Sequence, residues 1–353
     1  MPNLIRASST PKVQYTVSLP HSLLATASLV CAATRYEGLG DWLWEARTQI
    51  APDLYQDLCL VITLPGGYQR FTAELIADLP AEAARLSFDE LMAHLRTIPA
   101  VHYQLIALRA LARGAHPPPQ PSDLTALLHK PAEWAAYLAE VESEVDPEMA
   151  AALVGDEEKL KRQLLNALER FWREVYAGEF EATRPLMERS VAYHRAQRYP
   201  PSFRDVFVAV TGRPLPDRVV ELLPGIETVT FIPSCYIGPY VAYTHNVERL
   251  VLYYNCRTTP IGADAGEGPS LYPPLKALAD ETRLQILALL HGRELYAQEI
   301  VEQLDISQPA VSRHLNLMAA AGVLKIRREG NAKYYSIDTE ALAAVADALR
   351  VFS

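Results

Sequence analysis

The sequence predicts an α+β protein: a mainly helical N-terminal domain with a small antiparallel meander, followed by a C-terminal winged helix-turn-helix domain. Three observations predict this. Apolar residues recur at three- and four-residue spacing over most of the chain, the period changes to two between Arg218 and Arg257, and a helix, tight turn, helix and basic hairpin follow residue 271. A chain of 353 residues is long for one domain, and Thr259 to Pro274 (TPIGADAGEGPSLYPP) concentrates glycine, proline and small residues. The expected division is therefore 1–265 and 271–353.

Lys12 to Leu19 alternates Val13, Tyr15, Val17 and Leu19 against polar neighbours, as in a half-buried strand. Helices are expected over His21 to Thr34 and Trp42 to Ile50, separated by the glycines of EGLGD, with a turn at Pro65-Gly66-Gly67. The apolar run LLATASLVCAA follows a strand-like segment and Pro20 rather than a basic N-terminus, so it reads as a buried helix and not as a signal peptide. Phe88 to Arg96 and Val101 to Arg113 are amphipathic, and HPPPQPSD (His116 to Asp123) breaks regular structure. From Pro147 to Arg198, Leu160, Leu164, Leu168, Phe171 and Val175 keep helical spacing, giving one long helix or two abutting ones. VVELL, ETVTFIP, YVAYT and RLVLYYNC then read as three or four strands of a meander, with tyrosines filling a core more readily than walling a pocket.

The charge balance is uneven. The net charge is -9, yet residues 271–353 hold 9 Lys+Arg against 10 Asp+Glu, leaving 24 against 32 in the first 270 residues. Between Arg313 and Lys333 there are five basic side chains and one acid, Glu329, a local sign suited to a phosphate backbone. No apolar run reaches 18 residues, so no membrane partner is expected. Four cysteines (Cys31, Cys59, Cys235, Cys256) without a C-x-x-C pair exclude a disulfide framework or zinc ribbon and fit a reducing cytoplasm. Cys235 and Cys256 meet as a thiol switch or serve as small buried residues, the commoner role. There is no G-x-S-x-G elbow, phosphate-cradling glycine loop or H-E-x-x-H motif, so neither catalytic residues nor a cofactor are expected.

After residue 271, Pro274 to His291 is helical and Ala297 to Leu304 forms a second, short helix. Ser307 is placed to cap a third helix running from Gln308 to about Ala321, with Pro309 in its first turn and Gly322 closing it. Val311, Leu315 and Met318 turn inward, leaving Gln308, Ala310, Ser312, Arg313 and Asn316 to face outward from a helix that fits a major groove. Gln and Arg pair bidentately with adenine and guanine edges. His314 stands open between a DNA contact and packing against backbone. LKIRRE, Gly330-Asn331 and AKYYSI form a hairpin whose Lys325, Arg327, Arg328 and Lys333 suit phosphate contacts.

LADETRLQIL (Leu278 to Leu287), ISQPAVSRHL (Ile306 to Leu315) and AGVL (Ala321 to Leu324) together resemble the ArsR/SmtB class of bacterial winged-helix regulators. The resemblance spans roughly residues 271–340 and implies a homodimeric transcription factor on double-stranded DNA, usually a repressor released by a signal. FWREVYAGEFEATRPLMERSVAYHRAQ and FIPSCYIGPYV more loosely resemble an uncharacterised domain that precedes such winged helices in some regulators. Metal-sensing relatives carry Glu-Leu-Cys-Val-Cys-Asp-Leu before the reading helix. Here Tyr296 and Gln298 replace both cysteines, and no histidine follows His314, so no metal is expected. The signal is therefore expected at the N-terminal domain, whose 270 residues suit sensing of a non-metal small-molecule effector of unidentified chemistry or oligomerisation, with an enzymatic or protein-docking domain bearing an accessory winged helix as the alternative. A dimer implies a palindromic operator with reading helices about 34 Å apart.

Overall fold

The computed structural model describes residues 11–34, 36–63, 70–112, 147–259, 271–329 and 332–350. The expected turn at Pro65-Gly66-Gly67, the HPPPQPSD break and the hairpin tip Gly330-Asn331 lie outside them. No helix among the described residues is long and apolar enough to cross a membrane.

The N-terminal part is built on a four-stranded sheet of order β1-β2-β4-β3, with β1 Lys12–Tyr15, β2 Thr228–Ser234, β3 Ala242–His245 and β4 Arg249–Asn255. β1 runs parallel to β2, pairing Lys12 with Thr228 and Tyr15 with Phe231, and β2 runs parallel to β4. Only β3 and β4 are antiparallel. The expected antiparallel meander is thus corrected to a mixed sheet. Its hairpin turns at Asn246, whose side chain accepts from the backbone of Glu248 and Arg249 at 3.1 and 2.8 Å. VVELL, expected as a strand, lies instead in a helix, Asp217–Leu222, entered from the extended backbone of Pro216. A five-residue apolar run carries too few residues to separate the two periods, and proline beside an acidic first turn favours the helix start.

Nine α-helices precede residue 200 among the described residues. They are α1 Leu19–Ala32, α2 Trp42–Gln49, α3 Pro52–Thr63, α4 Arg70–Asp78, α5 Phe88–Thr97, α6 Ala100–Ala112, α7 Pro147–Gly155, α8 Glu157–Phe171 and α9 Ala177–Ala196. Helix α10 (Phe203–Thr211) and then α11 (Asp217–Leu222) lead to β2. The run LLATASLVCAA lies within α1, where Leu23, Leu24, Ala27 and Val30 are fully buried. The Ser28 hydroxyl of α1 donates to Leu24 O at 3.0 Å and lies 2.7 Å from Thr72 Oγ1. In α8 the side chain of Asp156 caps Lys159 N at 2.9 Å, and Leu160, Leu164, Ala167, Leu168 and Phe171 form its buried stripe. A π-helical turn, Trp172–Tyr176, joins α8 to α9, so the segment expected as one or two helices is a series with a π turn inside it.

The C-terminal part contains α12 Tyr272–Leu278, α13 Glu281–Leu289, β5 Leu295–Tyr296, α14 Ala297–Leu304, α15 Gln308–Ala320, β6 Leu324–Glu329, β7 Ala332–Ile337 and α16 Thr339–Leu349. The strands form an antiparallel sheet of order β5-β7-β6. This is the winged helix-turn-helix arrangement that the sequence predicts. Asp305, with φ 53°, makes the turn between α14 and α15. Buried apolar residues fall into two clusters, one from Tyr15 to Cys256 and the other from Ala277 to Tyr335.

Candidate nucleic-acid interface

Helix α15 is anchored by Val311, Leu315 and Met318, all fully buried against Ile286 and Ile300. Burying these side chains fixes the rotation of the helix, and at about 2 kcal/mol each the orientation is strongly specified. The opposite side presents Gln308 and Asn316 exposed, with Ala310, Ser312, Arg313 and His314 half-buried beside them. Ser307 occupies the N-cap position, but its side chain makes no capping hydrogen bond, so its hydroxyl is left to solvent or a ligand. That corrects its expected capping role.

The hairpin β6–β7 carries the basic residues on its exposed surface. Arg327 bridges Glu294 at 2.8 Å and Glu329 at 2.9 Å, with its guanidinium 4.6 Å from the Tyr334 ring centre. Lys325 lies 3.3 Å from Asp338. Arg328 and Lys333 are exposed and form no ion pair with the described residues. Exposed pairs of this kind contribute little to stability, so a phosphate can displace the intramolecular carboxylates. Tyr296 and Gln298 are both exposed, and Tyr296 packs edge-on against Tyr334 with ring centres 6.2 Å apart.

The sequence does not reveal a carboxylate that the fold brings to this face. Glu37, in the loop between α1 and α2, accepts from Arg283 Nη1 at 3.0 Å and lies 3.8 Å from Arg313 Nε. Its Oε2 is also 3.2 Å from His314 Nδ1, an ion-pair distance without the alignment of a hydrogen bond. Arg283 is buried and donates in addition to Ala277 O and Lys276 O, so it holds the carboxylate on a rigid base.

The surrounding loops pack closely enough to fix that position. Tyr240 Oη donates to Glu37 O at 2.8 Å. A Cβ added to Gly38 would stand 2.5 Å from Leu317 Cδ1 of α15, and one added to Gly238 would stand 2.0 Å from Gly38 O. Both glycines have positive φ, 78° and 62°. Arg213, held down to about 10 by burial, donates to Ala319 O at 2.8 Å near the end of α15. The N-terminal part therefore touches the middle and end of α15 and leaves its beginning open. Within EGLGD the glycines read only as helix separators, and a loop acid has no periodicity to betray its partner.

The cysteines meet in pairs. Cys235 and Cys256 Sγ atoms are 3.1 Å apart and buried, and Cys31 and Cys59 Sγ atoms are 2.6 Å apart. The Cys256 thiol lowers the Cys235 pKa, while that contact and burial raise its own.

A family model described as "Bacterial regulatory protein, arsR family" matches residues 280–325. The transcriptional repressor SdpR of Bacillus subtilis is 43% identical over 67 residues, which are 19% of this chain and 74% of SdpR. The transcriptional activator HlyU of Vibrio cholerae is 36% identical over 75 residues, 21% of this chain and 69% of that protein. Among solved structures, HlyU from Vibrio cholerae is 37% identical with a TM-score of 0.19, covering 22% of this chain and 86% of its own.

Proposed function

From the premise that the chain belongs to the arsR family of bacterial regulatory proteins, we propose that it is a DNA-binding transcriptional repressor controlled by a non-metal signal received in its N-terminal part. Residues 271–353 act as the DNA-binding domain and residues 1–265 as the sensory domain. The observation that carries this reading is the open beginning of α15, with Gln308, Ser312, Arg313 and Asn316 beside the exposed basic hairpin. Gln308 and Arg313 read base edges, helped by Ala310, Ser312, His314 and Asn316. Ser307, Lys325, Arg327, Arg328 and Lys333 bind phosphates and fix register.

The protein acts as a homodimer on a palindromic operator. Leu275, Leu284 and Leu349 on α12, α13 and α16 are large apolar side chains left 37 to 50% exposed, which a second copy would cover. Glu37 couples the two domains, because Arg313, the cation it faces on α15, is one a phosphate would otherwise engage. A signal that withdraws or presses the Glu37 loop changes DNA affinity.

Operator affinity measured against salt tests the assignment. Arg328→Ala and Lys333→Ala should weaken every duplex alike and reduce the salt slope by about 0.9 each, whereas Gln308→Ala should relax preference at particular base pairs. If neither class of variant changes affinity, the docking is wrong.

A further inference from the structure

The sheet and helices of the N-terminal part line a partly open cavity of about 40 Å³. Ser28, Leu29, Thr72 and Ile76 of α1 and α4 form one wall, and Tyr253 of β4 and Ile237, beyond the end of β2, form the other. No acidic or basic side chain lines it. Of its aliphatic hydroxyls, Ser28 bonds Leu24 O and Thr72, Thr244 bonds Ala73 O at 2.7 Å, and Ser234 accepts from Tyr236 N at 3.3 Å, while the phenol of Tyr243, also in the lining, is half-buried. Tyr253 differs. It is 4% exposed, and its hydroxyl has no hydrogen-bond partner. A buried donor left unmade is destabilising, and native interiors pair most such donors with a protein group, a water or a ligand.

We propose that this cavity is a binding site for a small uncharged carbonyl compound, whose oxygen accepts the Tyr253 hydroxyl while its apolar stem lies against Leu29, Ile76 and Ile237. The chemistry follows from the walls. A charged ligand would lose its hydration with no counter-charge to meet it, and a purely apolar one would leave the tyrosine unpaired. At roughly 10 to 15 Å³ for each water-sized group, the space holds about three such groups, which sets the size at a few heavy atoms. Burial holds the tyrosine well above its ordinary pKa, so it remains a donor across the physiological range.

The cavity also touches the domain contact. Ile237 lines it and adjoins Gly238, whose backbone rests on Gly38, next to Glu37 at α15. Occupancy of the cavity is thereby placed beside the loop that carries the carboxylate, where it can bias that loop's position. That consequence rests on the regulatory reading above, whereas the binding site does not.

Saturation-transfer NMR on the full chain, with acetone as probe and acetate as its charged counterpart, tests the site without DNA. Acetone should bind saturably with a millimolar dissociation constant, the scale a few heavy atoms permit, and acetate should not bind. Tyr253→Phe should weaken acetone binding about tenfold, the loss expected when a buried hydrogen bond to ligand is removed. Its melting temperature without probe should match or exceed that of the parent. Equal acetone binding by Tyr253→Phe, equal binding of acetate, or a melting temperature lowered by several degrees would overturn the proposal, the last by showing the hydroxyl already partnered by internal water. Saturable binding that leaves DNA affinity unaltered would support the site and refute only its role as the signal input.

Discussion

Replacing Glu37 by glutamine removes one negative charge from the side of α15 proposed to face DNA and keeps the side chain's shape. The carboxylate has three cationic or titratable neighbours, Arg283 at 3.0 Å, His314 at 3.2 Å and Arg313 at 3.8 Å. A unit pair near 4 Å at an effective dielectric of 20 interacts by about 4 kcal/mol before desolvation, which is the ceiling for the Arg313 contact. Arg313 keeps a 42% exposed side chain and Glu37 a 27% exposed one, so solvent screening reduces this to the order of 1 kcal/mol. That energy is lost on DNA binding if the phosphate takes over Arg313. Glu37→Gln should therefore tighten operator binding about five- to tenfold. The salt slope should steepen by about 0.9 as one more cation becomes available to phosphate. Fluorescence anisotropy with a labelled operator over about 50 to 200 mM salt measures both quantities. Arg283 retains its bonds to Ala277 O and Lys276 O, so the fold should survive. Unchanged or weaker affinity with an unchanged slope would refute the idea that Glu37 competes with DNA.

Other consequences follow from the same geometry. Burial, aided at His21 by Arg249, lowers His21 to about 4, and burial lowers His194 to about 4, against an ordinary 6.5. The unfolded chain binds these protons first, so stability is fully present above pH 6.5 and falls as pH drops towards 4. Between pH 7 and 5 the loss should be about 2 kcal/mol for each histidine, read from urea midpoints, and equal midpoints would contradict it. Gly238→Ala puts a methyl group 2.0 Å from Gly38 O at a φ of 62°, and should lower the melting temperature of the N-terminal part by more than a surface change does. Leu284→Glu places a charge on the half-exposed apolar face of α13, and sedimentation should show a shift from dimer to monomer with the fold intact by circular dichroism.

The C-terminal part was largely readable because its elements carry their own signals, such as Pro309 in the first turn of α15 and Gly322 with φ 76° after it, although the expected Pro274–His291 helix is divided into α12 and α13 at Asp280, whose side chain caps Arg283 N. Helix α5 is similar, with Ser87 and Glu90 closing a capping box. The N-terminal sheet was not readable in the same way. Its β1 strand pairs with β2 across the great length of chain between Tyr15 and Phe231, and parallel pairing leaves no turn residues to mark it. Helices α3 and α4 went unassigned, and α11 was mistaken for a strand, because short apolar segments suit either period. Of the interface, the reading helix and wing were visible in sequence, whereas Glu37 and the unpaired Tyr253 hydroxyl acquire meaning only through residues distant along the chain.

The central claim is that α15 reads DNA sequence. Selecting duplexes from a random library with the full chain, and repeating the selection with Arg313→Ala, tests it most directly. An imperfect inverted repeat with half-sites about one helical turn apart should be enriched, and the variant should lose preference at one base pair in each half-site. No enriched sequence, or an identical enriched sequence from both proteins, would contradict it.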